Sequence, residues 1–305
     1  MAIVKTDAPT TYEQCEQTIL ALTAKYAFLR TEVLAETSLG RNLRTLVIGN
    51  GPRNVIYSAA WHANEWITTP ILLKFVEDFA EALMNGGEIF GINAGDLAAK
   101  VTIYTVPMVN PDGVDLVTGA LGPGQKGYEH AQEIADCYPS IPFPEGWKAN
   151  LNGVDLNLQF PAGWLRAREI KFLQGFNRPA PRDYVGRAPL NQRESRAMAG
   201  YTEYIDPDLV LAYHTQGKEI YWSFMDYDVP GARELGERLA QVSGYTLAEP
   251  ALNSSYAGYK DWFIKEFRRP GYTVEAGSGT NPLPLSQFDE IYRDNLGILV
   301  TAALG

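Results

Sequence analysis

The run Val55-Ile56-Tyr57-Ser58-Ala59-Ala60 leads straight into Trp61-His62-Ala63-Asn64-Glu65-Trp66, and this junction constrains the fold more than any other stretch. An apolar run of this length reads as a buried strand. Beyond it, Thr68-Thr69-Pro70 precede Ile71-Leu72-Leu73-Lys74-Phe75-Val76-Glu77-Asp78-Phe79, which is apolar at helical spacing. A Thr N-cap with Pro in the first turn predicts a helix start there. A His and a Glu three residues apart thus sit where a strand hands over to a helix. Residues so spaced in one helical turn point the same way, so an imidazole nitrogen and a carboxylate oxygen can meet on one cation. The pair alone is a weak signal and needs partners.

The rest of the chain supplies a frame for them. Residues 11–30 read as an amphipathic helix, and two short strands follow around Val33–Thr37 and Arg44–Ile48 with a turn at Gly40, an antiparallel start to a sheet. The helix over 70–84 ends at Asn85-Gly86-Gly87, and Val101–Val106 is the next buried strand, closed by Asn110-Pro111-Asp112-Gly113. That strand–helix–strand spacing predicts a parallel crossover. Residues 119–150 and 161–190 are rich in Gly, Pro and aromatics and read as long loops, with His130 an ordinary loop residue. Strands are expected to end at His214 and at Glu275, with helices over 191–204, 231–243, 258–267 and 286–303. The expectation is one α/β domain spanning 1–305, with 1–32 a helical lead-in and a twisted mixed parallel/antiparallel sheet flanked by helices on both faces.

With 46% hydrophobic and 20% charged residues, the 305-residue chain is an ordinary globular protein in composition. A net charge of −10 argues against nucleic acid as a partner, because phosphate binding needs a positive face. No stretch approaches the length of a membrane span, and the opening residues lack the apolar core of a signal peptide. The chain as it stands is therefore expected in the cytoplasm, or at the cell wall if a targeting segment precedes it. Cys15 and Cys137 carry no paired spacing and read as free thiols. Composition leaves the oligomeric state open.

In open α/β sheets, ligands bind beyond the carboxyl ends of strands, and three strands here deliver polar residues to that end: His62 with Glu65, His214, and Glu275. Two His and one carboxylate suit a zinc ion with one open position, and the handful of enzymes that define this donor set are hydrolases. A spare carboxylate nearby can take a proton from water and return it to a leaving amine, which is the role Glu275 suits.

At this point the sequence resembles the zinc metallocarboxypeptidases of the carboxypeptidase A type, over about residues 35 to 300 and with the motifs in order. These are His62 with Glu65; Pro107-Met108-Val109-Asn110-Pro111-Asp112-Gly113; Gly153-Val154-Asp155-Leu156-Asn157; His214; and Glu275. The wording is closest to the bacterial γ-D-glutamyl-diamino acid peptidases, through His62–Pro70, His214–Trp222, Gly258–Trp262 and Asn281-Pro282-Leu283-Pro284. The resemblance implies one Zn2+ held by His62, Glu65 and His214, with Glu275 as general base and Lys148 in the place of an oxyanion-steadying Arg. It implies substrate contacts at Asn157, at Tyr256 or Tyr259, and at Lys260 in the pocket on the leaving side, where a cation would favour a carboxylate-bearing residue. The implied partner is a peptidoglycan stem peptide cut between γ-D-Glu and meso-diaminopimelate. Leu158 stands where the family carries an Arg that clamps a terminal carboxylate, which weighs against a plain carboxypeptidase. The alternatives are a metallocarboxypeptidase or amidase with another substrate, and a non-catalytic wall-peptide-binding module, the latter disfavoured by an intact Glu275.

Overall fold

The computed structural model describes residues 2–251 and 256–305. Along the chain run α1 (Tyr12–Lys25), the hairpin β1 (Val33–Glu36) and β2 (Asn42–Arg44), β3 (Leu46–Gly49), β4 (Arg53–Ser58), α2 (Thr68–Asn85), a small ladder of β5 (Glu88–Ile89) and β6 (Ile92–Asn93), α3 (Ala94–Lys100) and β7 (Val101–Val106). Then come α4 (Pro111–Thr118), α5 (Tyr128–Asp136), α6 (Trp164–Leu173), α7 (Arg193–Ile205), β8 (Leu209–His214), β9 (Glu219–Tyr221), α8 (Ala232–Ser243), β10 (Thr246–Ala248), α9 (Tyr259–Phe267), β11 (Gly271–Glu275) and α10 (Phe288–Leu304).

Seven strands form one mixed sheet in the order β10-β9-β11-β8-β4-β7-β3. The central β11, β8, β4 and β7 are parallel to one another, while β3 pairs antiparallel to β7 and β9 antiparallel to β11, with the edge strand β10 parallel to β9. The expected parallel crossover from β4 to β7 and the antiparallel start are both present. Mostly apolar residues bury both faces of the central strands. Along β8, Leu209, Leu211 and Tyr213 join one core with α1, α2, α8 and α10, and Val210 and Ala212 join the other with α7 and α9.

Two expectations need correction. The stretches read as long loops each contain a helix, and His130 lies exposed on α5. α5 is short and buries only Ala131, Ile134 and Ala135, and α6 leaves Leu165 and Leu173 exposed at 74% and 85%. α6 lacks the apolar stripe that reveals a helix in sequence, and the stripe of α5, Ala131, Ile134 and Ala135, is only one turn long and mostly alanine. The start of α2 also differs: Thr68 and Thr69 lie inside the first turn. The Thr68 hydroxyl donates to the Glu65 carbonyl at 2.7 Å and accepts from Ala60 N–H at 2.9 Å, so it braces the turn before the helix.

The first turn of α7 carries a polar group into the interior. Glu194 is 3% exposed, and the Asn150 amide approaches its carboxylate at 3.4–3.5 Å. Burial pushes this carboxyl up to about 7. The folded state thus holds a proton that the unfolded chain releases near pH 4.3, so stability falls as pH rises from there to 7. Glu194→Gln is expected to raise stability at pH 8 by about 3 kcal/mol and to change little at pH 4. Thermal melts at the two pH values check this, and equal shifts at both would show that the charge of Glu194 is not the cause.

Candidate metal centre and cleft

The parallel register sets Glu275 of β11 directly opposite His214 of β8, and β4 is the next strand, so the three strand ends that carry the candidate site residues lie side by side. Neighbouring strands are about 4.8 Å apart, close enough for their terminal side chains to share one site. After β4 the chain turns through a 3-10 segment, Ala63–Glu65, with His62 at its cap. The His and Glu expected in an α-helical turn therefore converge from this tighter one.

Asn110 fixes where that turn sits. Its side-chain oxygen accepts from Gly113 N–H at 3.2 Å, capping α4, while its amide donates to the carbonyls of Trp61, Lys148 and Ala149 at 3.4, 3.3 and 3.0 Å. Ala63 N–H also donates to the Lys148 carbonyl at 3.1 Å. A side chain at Gly113 would put its Cβ 2.7 Å from both the Ala149 carbonyl oxygen and the Asn110 side-chain oxygen. The Asn-Pro-Asp-Gly motif thus ties the metal-binding turn to the Lys148 segment.

Among the described residues, one group of potential ligands brings its donor atoms within 4.8 Å: His62, Glu65 and His214. The two oxygens of Glu65 lie 2.9 Å from Nδ1 of His62 and 2.9 Å from Nδ1 of His214, and the two Nδ1 atoms are 3.2 Å apart. Lone pairs facing at this range repel unless a proton or a cation lies between them. Ligands about 2.1 Å from a tetrahedral zinc would stand roughly 3.4 Å apart, so the cluster needs little adjustment to hold one. His62 Nε2 meets Asp155 Oδ1 at 3.1 Å, which keeps that nitrogen protonated and turns Nδ1 into the ligand atom. In His214, the buried Nε2 has no hydrogen-bond partner among the described residues, leaving Nδ1 as the engaged nitrogen. The donor set fits the ion.

The buried carboxylates draw positive charge to this cluster. Burial alone would lower His62, but the carboxylates of Glu65 and Asp155 outweigh it and hold the ring up at about 9. Burial would raise Glu65, yet His62 and the Lys148 ammonium, whose Nζ lies 2.9 Å from Oε1, keep it well below the usual range. His214 is lowered, chiefly by burial. For Glu275, burial, then the charge of Glu65, outweighs Lys148 and His62 and pushes its carboxyl up to about 8. A divalent ion among the ligands would pull it back toward ionisation.

His62, Lys148, Asp155, His214 and Glu275 line one cleft of about 280 Å3, together with Asn157, Leu158, Tyr256 and Lys260, with Glu65 buried behind them. Asn157 accepts from Tyr259 N–H at 3.0 Å, holding the start of α9 against the cleft wall. Of the two tyrosines, Tyr256 lines the cleft. Tyr259 does not: its ring is fully buried against Trp61 and Phe160 and its hydroxyl pairs with Thr202 at 2.8 Å. Lys260 also departs from the expectation of a charge free for substrate. Only 4% exposed, it gives its ammonium to Asp261 Oδ1 at 2.5 Å and to the Ser223 carbonyl at 2.6 Å. Asp155 is the residue that sequence reasoning passed over. Its motif was in view, but its partner His62 lies 93 positions away.

Fold and site together bring three potential metal ligands to the strand ends, with the Glu275 carboxylate in the same cleft. The zinc carboxypeptidase family model matches residues 15–297, and the chain belongs to that family. It is 46% identical over 289 residues to gamma-D-glutamyl-L-diamino acid endopeptidase 1 of Lysinibacillus sphaericus, covering 95% of this chain and 71% of that one. It is 37% identical over 286 residues to the uncharacterized protein YqgT of Bacillus subtilis, covering 93% and 74%. Among solved structures, bovine thrombin-activatable fibrinolysis inhibitor shares the fold at a TM-score of 0.75 and 16% identity, over 98% of this chain and 97% of that one. No helix among the described residues is long and apolar enough to cross a membrane.

Asp155→Asn is expected to weaken binding of added Zn2+ by about ten- to a hundred-fold, because the amide no longer holds the His62 tautomer. Competition against a chromogenic chelator measures it, and unchanged affinity would remove Asp155 from this role.

Proposed function

We propose that this chain hydrolyses the bond between γ-D-glutamate and a diamino acid, meso-diaminopimelate, in peptidoglycan stem peptides. The observation that carries the reading is the 46% identity, over 95% of the chain, to an endopeptidase named for that bond. Leu158 in the cleft wall supports it from the other side. An apolar side chain cannot clamp a terminal carboxylate, so a chain continuing past the cut is tolerated.

His62, Glu65 and His214 would hold one Zn2+. The ion supplies Lewis acidity, lowering the pKa of a water and polarising the scissile carbonyl. Glu275, at the end of β11, accepts the proton from that water and delivers it to the departing amine. Its side chain makes no hydrogen bond to another described residue, which leaves the carboxylate open to that water. Lys148 places a fixed positive charge at the ligand cluster, where negative charge develops on the carbonyl oxygen. Tyr256 and Asn157 border the space left for substrate.

Incubation with L-Ala-γ-D-Glu-meso-diaminopimelate, with products read by mass spectrometry, is expected to give L-Ala-D-Glu and free diaminopimelate. A chelator should stop the reaction and Zn2+ restore it, and cleavage confined to other bonds would overturn the substrate assignment. Glu275→Gln keeps the shape but cannot take a proton, so kcat should drop by at least about a hundred-fold. Its zinc content should stay at one per chain; substantial turnover in this variant would remove Glu275 from the proton path.

A further inference from the structure

The cleft holds four cations, and three are already engaged. Lys148 sits on Glu65, Lys171 on Asp183 Oδ1 at 2.5 Å, and Lys260 on Asp261. The fourth is Arg182. Its Nε donates to Asp183 Oδ2 at 2.7 Å, its side chain is 41% exposed, and its two terminal nitrogens have no partner among the described residues. A guanidinium held at Nε presents its far edge as a fork, a shape that matches a carboxylate in two parallel hydrogen bonds.

The segment that carries Arg182 is fastened to the catalytic wall on both sides. The Pro181 carbonyl accepts from the backbone N–H groups of Lys148 and Ala149 at 2.8 and 2.9 Å. Ala180 N–H donates to the Gly153 carbonyl at 3.0 Å, and Asp155 N–H to the Tyr184 carbonyl at 2.9 Å. Asp183 N–H reaches the second oxygen of Asp155 at 3.3 Å. Arg182 is therefore placed by the same strands of backbone that carry Lys148 and Asp155. The surrounding sequence is also locally cationic: residues 164–187 hold six Arg and Lys against two Asp and Glu, in a chain of net charge −10. Such a local reversal concentrates anions at the cleft.

We propose that Arg182 is a specificity-determining residue that pairs with a free carboxylate of the bound peptide, supplying the fork that Leu158 lacks and the free charge that Lys260 has given to Asp261. The proposal rests on the γ-D-glutamyl reading. A glutamate linked through its γ-carboxyl keeps its α-carboxylate free, and a diaminopimelate residue brings carboxylates of its own. The shared chemistry is a carboxylate beside the scissile bond, and its source is decided by substrate.

The test compares the wild-type chain with Arg182→Ala and Arg182→Lys on four peptides. These are L-Ala-γ-D-Glu-meso-diaminopimelate, the same with the glutamyl α-carboxyl amidated, the same with the main-chain carboxyl of diaminopimelate amidated, and the same with lysine in place of diaminopimelate. On the parent peptide, Arg182→Ala should lose about ten- to a hundred-fold in kcat/KM, mostly through KM. One of the modified peptides should show a loss of that size with wild-type protein and no further loss in Arg182→Ala, which identifies the carboxylate. Arg182→Lys should recover only part of the loss, because an ammonium lacks the fork. Zinc content and melting temperature should match the wild type. Losses equal on all four peptides, or no loss, would overturn the assignment of Arg182 while leaving the reaction intact. Wild-type protein that cuts none of the four would instead overturn the substrate reading, and this assignment with it. Should Arg182→Ala fail to fold, Arg182→Gln takes its place in every comparison.

Discussion

A carboxylate 1% exposed cannot stay ionised unless something compensates it, and Glu65 is the group around which this structure closes. His62, His214 and Lys148 all converge on its two oxygens, from the end of β4, the end of β8 and the loop before Asn150. None of the three is near another in sequence. The parallel register of β4 and β8, the cap of α4 by Asn110 and the braced turn at Thr68 are the devices that deliver them. The energetic consequence is that the polar centre and the apolar core are not independent. The strands that bury Val55, Tyr57, Leu209 and Leu211 are the ones whose ends meet at the ion site.

What the sequence revealed, and what it hid, follows from this. His62, Glu65, His214 and Glu275 were legible because each follows an apolar strand, and strand ends are where such sheets bind ligands. The geometry among them was not, since it depends on strand order, which no local pattern encodes. Asp155 stood within a quoted motif, yet its job depends on a contact across 93 residues. Tyr259 and Lys260 show the opposite limit. Their nearness to Asp261-Trp262 was correct, but consecutive residues of a helix diverge by about 100°. Tyr259 consequently turns into the core and Lys260 toward the cleft edge, where Asp261 takes its charge. α6 leaves no periodic signature, and that of α5 is a single turn of one Ile and two Ala, too short to stand out in a stretch rich in Gly and Pro.

The hydrogen-bonded segment 180–184 has a consequence for how such a molecule can change. The ligands and Glu275 belong to strands and to the turn after β4, whose positions are set by the sheet. Arg182 belongs to a strip of chain hung on the outside of that machinery, mostly by main-chain bonds from Lys148, Ala149, Gly153 and Asp155. Main-chain bonds are indifferent to which side chain rides on them. At its partly exposed positions, 182 and 183, the strip acts as an exchangeable faceplate: the residues there can vary, and the substrates admitted can vary with them, while the chemistry behind stays in register.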